Sequence, residues 1–173
     1  MTNIKIIVSG PFSSGKTKFI EAVSERKVHF IDFAVTPQGD CIGMDFGRVE
    51  VDGDSALVLL GTPGGRRFSF DWLASDKYMV GYVIMVDSAK PVTFREAKGW
   101  IEAFNIEAPR PFIVVANKQD QAGAWSLDDL HLALNIPPEI PVVPCVATDK
   151  ESVKRVLVAL LDEVLKAMAA DKE

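Results

Sequence analysis

Residues 10–17 read Gly10-Pro11-Phe12-Ser13-Ser14-Gly15-Lys16-Thr17, and this stretch decides the fold. The pattern is G-x-x-x-x-G-K-[ST], a phosphate-binding P-loop. Its flanks agree with that reading. Ile4-Lys5-Ile6-Ile7-Val8-Ser9 precedes it, a β-branched run that predicts a buried strand. Lys16 to Val23 follows with Phe19, Ile20 and Val23 on one face, which predicts a helix. Gly10 and Gly15 let the backbone take positive φ and bring amides close to phosphate. With Ser13 and Ser14 they form the expected cradle. The helix start adds unpaired N–H groups and a partial positive charge. Lys16 is expected to reach the β- and γ-phosphates and to act in catalysis, and the Thr17 hydroxyl to ligate Mg²⁺.

Strands and helices alternate beyond this point. Ser24 to Gly43 has no clean period, and a long irregular segment of this kind is usually functional or mobile. Arg48 to Val51 and Ala56 to Leu60, joined by Asp52-Gly53-Asp54, predict a β-hairpin with a tight turn. Gly61-Thr62-Pro63-Gly64-Gly65 cannot continue a strand and predicts a loop, and Phe68 to Lys77 a short helix. Val80 to Val86, Phe112 to Ala116 and Val142 to Val146 are further buried strands. Between them lie helices over Thr93 to Phe104, with Pro91 at its start, and after the N-cap Ser126. Ser152 to Met168 carries the clearest amphipathic pattern, with Val153, Val156, Leu157, Leu160, Leu161, Val164 and Leu165 at spacings of three and four. The expectation is an α/β P-loop fold over residues 1–173 as one domain. Its sheet has six strands, mostly parallel, with one antiparallel edge hairpin and helices on both faces. Ligands of such sheets bind beyond the carboxyl ends of the strands, so four separated loops gather at one rim.

The second of those loops to carry chemistry is Asn117-Lys118-Gln119-Asp120, an N-K-x-D string. An aspartate accepts from two adjacent N–H groups on the guanine edge, which adenine lacks, so Asp120 would select guanine. Asn117 would bridge the base and the P-loop backbone, and the Lys118 stem would lie along the base plane. Val146, Ala147 or Thr148, after the last strand, would supply a backbone N–H to the guanine carbonyl.

Bulk composition narrows the class. The 173 residues are 48% hydrophobic and 25% charged, as in ordinary soluble domains. The formal net charge of -5 argues against a general nucleic-acid partner. Cys41 and Cys145 have neither metal-site nor disulfide-framework spacing, which fits a reduced cytosolic setting. No signal peptide, myristoylation glycine, transmembrane run or prenylation cysteine is apparent, so no direct membrane anchor is expected.

With these residues in view, the chain resembles the small Ras-like GTPases over nearly its whole length. It looks closest to the prokaryotic branch of MglA-like polarity proteins, on Met44-Asp45-Phe46-Gly47-Arg48, Gly61-Thr62-Pro63-Gly64 and Val86-Asp87-Ser88. The resemblance implies a GTP/GDP switch with Mg²⁺. Residues 25–47 would be the first switch and 61–77 the second, together the surface for effector, activating or exchange proteins.

Departures from the family pattern bear on mechanism. The switch threonine that ligates Mg²⁺ falls on Cys41, with Asp40 and Thr36 as alternatives; a neutral thiol is a poor ligand for this hard cation. The D-x-x-G string appears as Gly61-Thr62-Pro63-Gly64, without its carboxylate. Gly64 retains an N–H for the γ-phosphate, but Gly65 stands where a glutamine usually orients the attacking water. Arg66 or Arg67 would serve as an arginine finger in cis, or both are surface residues pairing with Asp71 or Asp76. Intrinsic hydrolysis is therefore expected to be slow. The competing reading is a non-cycling module that binds guanine nucleotide structurally. A nucleotide kinase shares the P-loop, but only the Arg66-Arg67 pair resembles its lid, and N-K-x-D has no role there.

Overall fold

Three successive residues of the first strand, Ile6, Ile7 and Val8, are wholly buried. Side chains alternate across a strand, so Ile7 enters one core while Ile6 and Val8 enter another. This two-sided burial makes β1 (Thr2–Ser9) central. The computed structural model describes residues 2–34, 41–63 and 76–172. From β1 the chain runs through α1 (Lys16–Val23), β2 (His29–Ala34), β3 (Cys41–Asp52), β4 (Ser55–Gly61) and β5 (Met79–Asp87). It continues through a 3-10 turn (Pro91–Thr93), α2 (Phe94–Glu107), β6 (Phe112–Asn117), α3 (Leu127–Ala133), β7 (Val142–Pro144) and α4 (Lys150–Ala170).

The sheet order is β2-β3-β4-β1-β5-β6-β7, and β3 alone runs against the others. The α/β class, the parallel centre and the β3–β4 hairpin agree with expectation. The strand count does not. Among the described residues there are seven strands, because His29–Ala34 pairs with Cys41–Phe46 and takes the edge that the hairpin was expected to hold. At the hairpin turn the Asp52 carboxylate accepts from the Asp54 N–H at 2.9 Å. That bond closes the turn, with Gly53 outside the left-handed region. The last strand is shorter than its apolar run and ends at Pro144. The expected helix over Phe68–Lys77 begins outside the described residues.

Helices α1 and α4 cover one face through Phe19, Ile20, Val153, Val156 and Leu160. Helices α2 and α3 cover the other through Phe94, Trp100, Ile101, Phe104 and Leu130. Leu165, read as part of the core stripe of α4, is instead 63% exposed. Trp100 packs in the core and Trp125 stacks edge-on against Phe94 at 5.0 Å. Trp72 lies outside the described residues.

Candidate functional site

The strand order reverses at β1, where loops leave the carboxyl ends of neighbouring strands together. The loop after β1 turns sharply. Gly10 has φ 137° and Ser13 has φ 60°. Gly15 caps α1 at φ 104°, and a Cβ there would stand 2.2 Å from Asn117 Nδ2. Only glycine fits such an approach at such a φ. The loop thus delivers the free N–H groups of the α1 start to the rim.

Lys16 is nearly buried, and its ammonium donates to the carbonyls of Gly10 at 3.0 Å and Pro11 at 2.7 Å. Burial pushes its pKa down to about 8, while Glu96 and Asp45 pull the other way. This is a cation held over the loop by two weak acceptors. Ser13, Gly15, Lys16 and Thr17 line a cavity of about 550 Å³ with Gly61, Thr62 and Lys118. Ser14 does not line it. Ser14 is wholly buried, its amide bonded to the Pro11 carbonyl at 3.3 Å, so it shapes the loop from behind.

The Thr17 hydroxyl donates to Asp45 Oδ2 at 2.5 Å. Asp45 lies on β3 directly opposite Gly61 of β4. Hydroxyl and carboxylate are hard oxygen groups, which suits Mg²⁺, a cation that keeps several waters and needs few protein ligands. Among the described residues no cluster of three His, Cys, Asp or Glu could hold a metal by itself. Cys41 opens β3 opposite Ala34, but its side chain lies outside what is described, as do Thr36, Asp40, Gly64, Gly65, Arg66 and Arg67.

Asn117, the last residue of β6, is 2% exposed and joins three loops. Its Nδ2 donates to the Ser14 carbonyl at 2.9 Å, and its Oδ1 accepts from the Ala147 N–H at 2.9 Å. Lys118 adopts φ 63°, a conformation that side chains rarely take without a surrounding that enforces it. Its ammonium reaches Asp87 Oδ2 at 2.6 Å and the Ser13 carbonyl at 3.2 Å. Asp120 follows in the turn, exposed to solvent. Of the three amides after β7, Val146 N–H is taken by Ser152 Oγ at 2.9 Å and Ala147 N–H by Asn117. The exposed Thr148 amide is left without a partner among the described residues.

Three residues here were not singled out individually by the sequence reading. Asp45 and Asp87 were noticed only within strings, because their partners, Thr17 and Lys118, are 28 and 31 residues away. Phe30 on β2 also lines the cavity, 73% exposed, as does the similarly exposed Phe12. No helix among the described residues is long and apolar enough to cross a membrane.

Comparison with known proteins places this geometry in context. The sequence matches the family of the elongation factor Tu GTP-binding domain over residues 1–167. It is similar to the human protein named ADP-ribosylation factor-like protein 9, 28% identical over 134 residues, which cover 76% of this chain and 67% of that protein. The fold is similar to that of the small GTPase Arl6 (BBS3) from Trypanosoma brucei, solved with the nucleotide analogue GppNp. That likeness has a TM-score of 0.69 at 22% identity and covers 95% of this chain and 99% of the other.

Proposed function

Because the chain belongs to the family of the elongation factor Tu GTP-binding domain, we propose a specific use of this rim: a guanine-nucleotide switch run by the residues named above. The chain is a small GTP-binding protein and a GTPase. The observation that carries the site assignment is Asn117, which ties the N-K-x-D loop to the P-loop carbonyl of Ser14 at 2.9 Å. A base-reading loop and a phosphate loop are useful together only when held at one nucleotide's length from each other.

On this reading Gly10, Ser13, Gly15 and Lys16 hold the phosphates, with Ser14 fixing the loop's shape. Charged Lys16 exchanges its two backbone carbonyls for phosphate oxygens, stronger acceptors because they are ionised. Asp120 reads the guanine edge, the Lys118 stem lies along the base, and the Thr148 amide is free to meet the base carbonyl. Asp87 holds Lys118 in place at 2.6 Å. Thr17 is the Mg²⁺ ligand; the bound cation would neutralise charge on the phosphates. Gly64 would contact the γ-phosphate, and Arg66 or Arg67 would stabilise charge in the transition state. Cys41 stands at the usual threonine position and contributes no ligand of comparable hardness.

Partner proteins would recognise residues 25–47 and 61–77 when the γ-phosphate orders them. The strings at 44–48, 61–64 and 86–88 support placement in the MglA-like branch. One domain spanning residues 1–173 and a cytoplasmic location complete the reading. The test is titration of GDP, GTP and ATP with Mg²⁺, followed by single-turnover hydrolysis. Guanine nucleotides should bind and ATP should not. With Gly65 in the glutamine's place, hydrolysis should run below about 10⁻³ s⁻¹. Absence of GDP binding, or equal binding of ATP, would refute the assignment.

A further inference from the structure

The carboxylate missing from Gly61 has a counterpart on the neighbouring strand. Asp45 and Gly61 are register partners on β3 and β4. A Cβ built on Gly61 would lie 3.2 Å from Asp45 Cβ and 3.6 Å from Asp45 Oδ2. The Asp45 side chain therefore occupies the space that a side chain at position 61 would enter. Its Oδ2 lies 2.5 Å from the Thr17 hydroxyl, a P-loop group suited to a hard cation.

A hydroxyl has one hydrogen to donate and two lone pairs to offer. With the Thr17 hydrogen committed to Asp45, the lone pairs are left for the cavity, and the neighbouring negative charge strengthens them as donors to a cation. Outer-shell carboxylates act on metal ligands in this way. We propose that Asp45 is the positioning carboxylate of the Mg²⁺ site, transposed from β4 to β3 across one antiparallel pair, with Gly61 kept small to admit it. The proposal rests on the guanine-nucleotide reading of the cavity. It also explains why that site tolerates a glycine where its relatives' pattern has an acid. Asp45 supplies charge beside Thr17 without a second strand contributing any.

The experiment follows release of a fluorescent GDP derivative from the full chain, with excess Mg²⁺ and again with EDTA. In wild type, Mg²⁺ should slow release strongly. In Asp45→Asn, the factor by which Mg²⁺ slows release should fall at least about tenfold, the usual loss for an outer-shell partner. In EDTA, Asp45→Asn should release GDP no faster than wild type, since a carboxylate without its cation repels phosphate. A merely structural role for Asp45 would speed release under both conditions. Asp45→Gly should lose the Mg²⁺ effect, and the swap Asp45→Gly with Gly61→Asp should restore it to within about threefold of wild type. The swap is sterically feasible: the nearest neighbour of a Cβ at position 61 is the terminal methyl of Ile20 at 2.8 Å, the far end of a flexible side chain, and the next two are Asp45 atoms that the swap removes. An unchanged Mg²⁺ effect in Asp45→Asn, or no recovery in the swap, overturns the proposal while leaving GDP binding in place. Failure of the wild type to bind GDP overturns this proposal together with the reading beneath it.

Discussion

Replacing Asn117 by alanine tests whether one amide side chain holds the rim together. The substitution removes two buried hydrogen bonds, each 2.9 Å long. It leaves the Ser14 carbonyl and the Ala147 N–H without partners, and both residues are nearly or wholly buried. Each orphaned group costs about 1–3 kcal/mol. Water reaching the truncated site would recover part of this, so the expected loss is about 2–4 kcal/mol. With a urea m-value of about 2 kcal/mol/M, the unfolding midpoint of the nucleotide-free protein should fall by about 1–2 M at constant m. Circular dichroism against urea measures it. Gln119→Ala is the control. Its amide bonds the Trp125 carbonyl at 3.1 Å on the surface, and its loss should stay within about 0.5 kcal/mol. A midpoint shift below about 0.3 M for Asn117→Ala would refute the claim that this residue fastens the loops.

Other expectations follow from single residues. Gly15→Ala should cost at least about 2 kcal/mol from its φ of 104° and its 2.2 Å approach to Asn117, and should combine with Asn117→Ala less than additively by urea titration. Tyr82→Phe should stabilise the fold by about 0.5–2 kcal/mol in thermal unfolding. The buried Tyr82 hydroxyl has no hydrogen-bond partner among the described residues, and burial pushes its pKa up to about 12. Burial likewise pushes the Cys145 thiol up to about 11, so at pH 8 native Cys145 should alkylate roughly 100-fold more slowly than in urea, read by mass spectrometry of its peptide. Since the folded thiol keeps its proton more tightly, this group's contribution to stability is complete below about pH 9. It is lost as pH climbs towards about 11.

Most of the site legible in the sequence has its geometry set by covalent neighbours, the Asn117 tie to the P-loop being the long-range exception. Gly10, Gly15, Lys16 and Thr17 sit within eight residues between a strand and a helix, and α1 spans the expected Lys16–Val23. Asn117 was expected to reach the P-loop backbone, and it does. Strand β2 was not legible because it is an edge strand. In its first half His29 and Phe30 are exposed while Ile31 packs towards the core, so the start of the strand shows no buried apolar run. Asp45 was illegible for another reason. Its function depends on standing opposite Gly61, and strand register is a tertiary fact that neither string contains. Leu165 followed a sound helical period, but α4 extends to Ala170 and keeps Leu165 at its exposed surface.

The ties that close the rim also bear on how the chain reaches its native state. Asn117 and Ser14 are 103 positions apart, and Lys118 and Ser13 are 105 apart. Contacts so distant in sequence form only after the intervening strands have paired, because closing long loops early carries entropy with no return. The nucleotide pocket is then a late product of folding, absent from the transition state. A nucleotide that needs the assembled pocket would favour only the finished fold, by RT ln(1 + [L]/Kd). Its effect would fall on the rate of unfolding and leave the rate of folding where it was. The protein's lifetime in the folded state would thus be set by how much guanine nucleotide surrounds it.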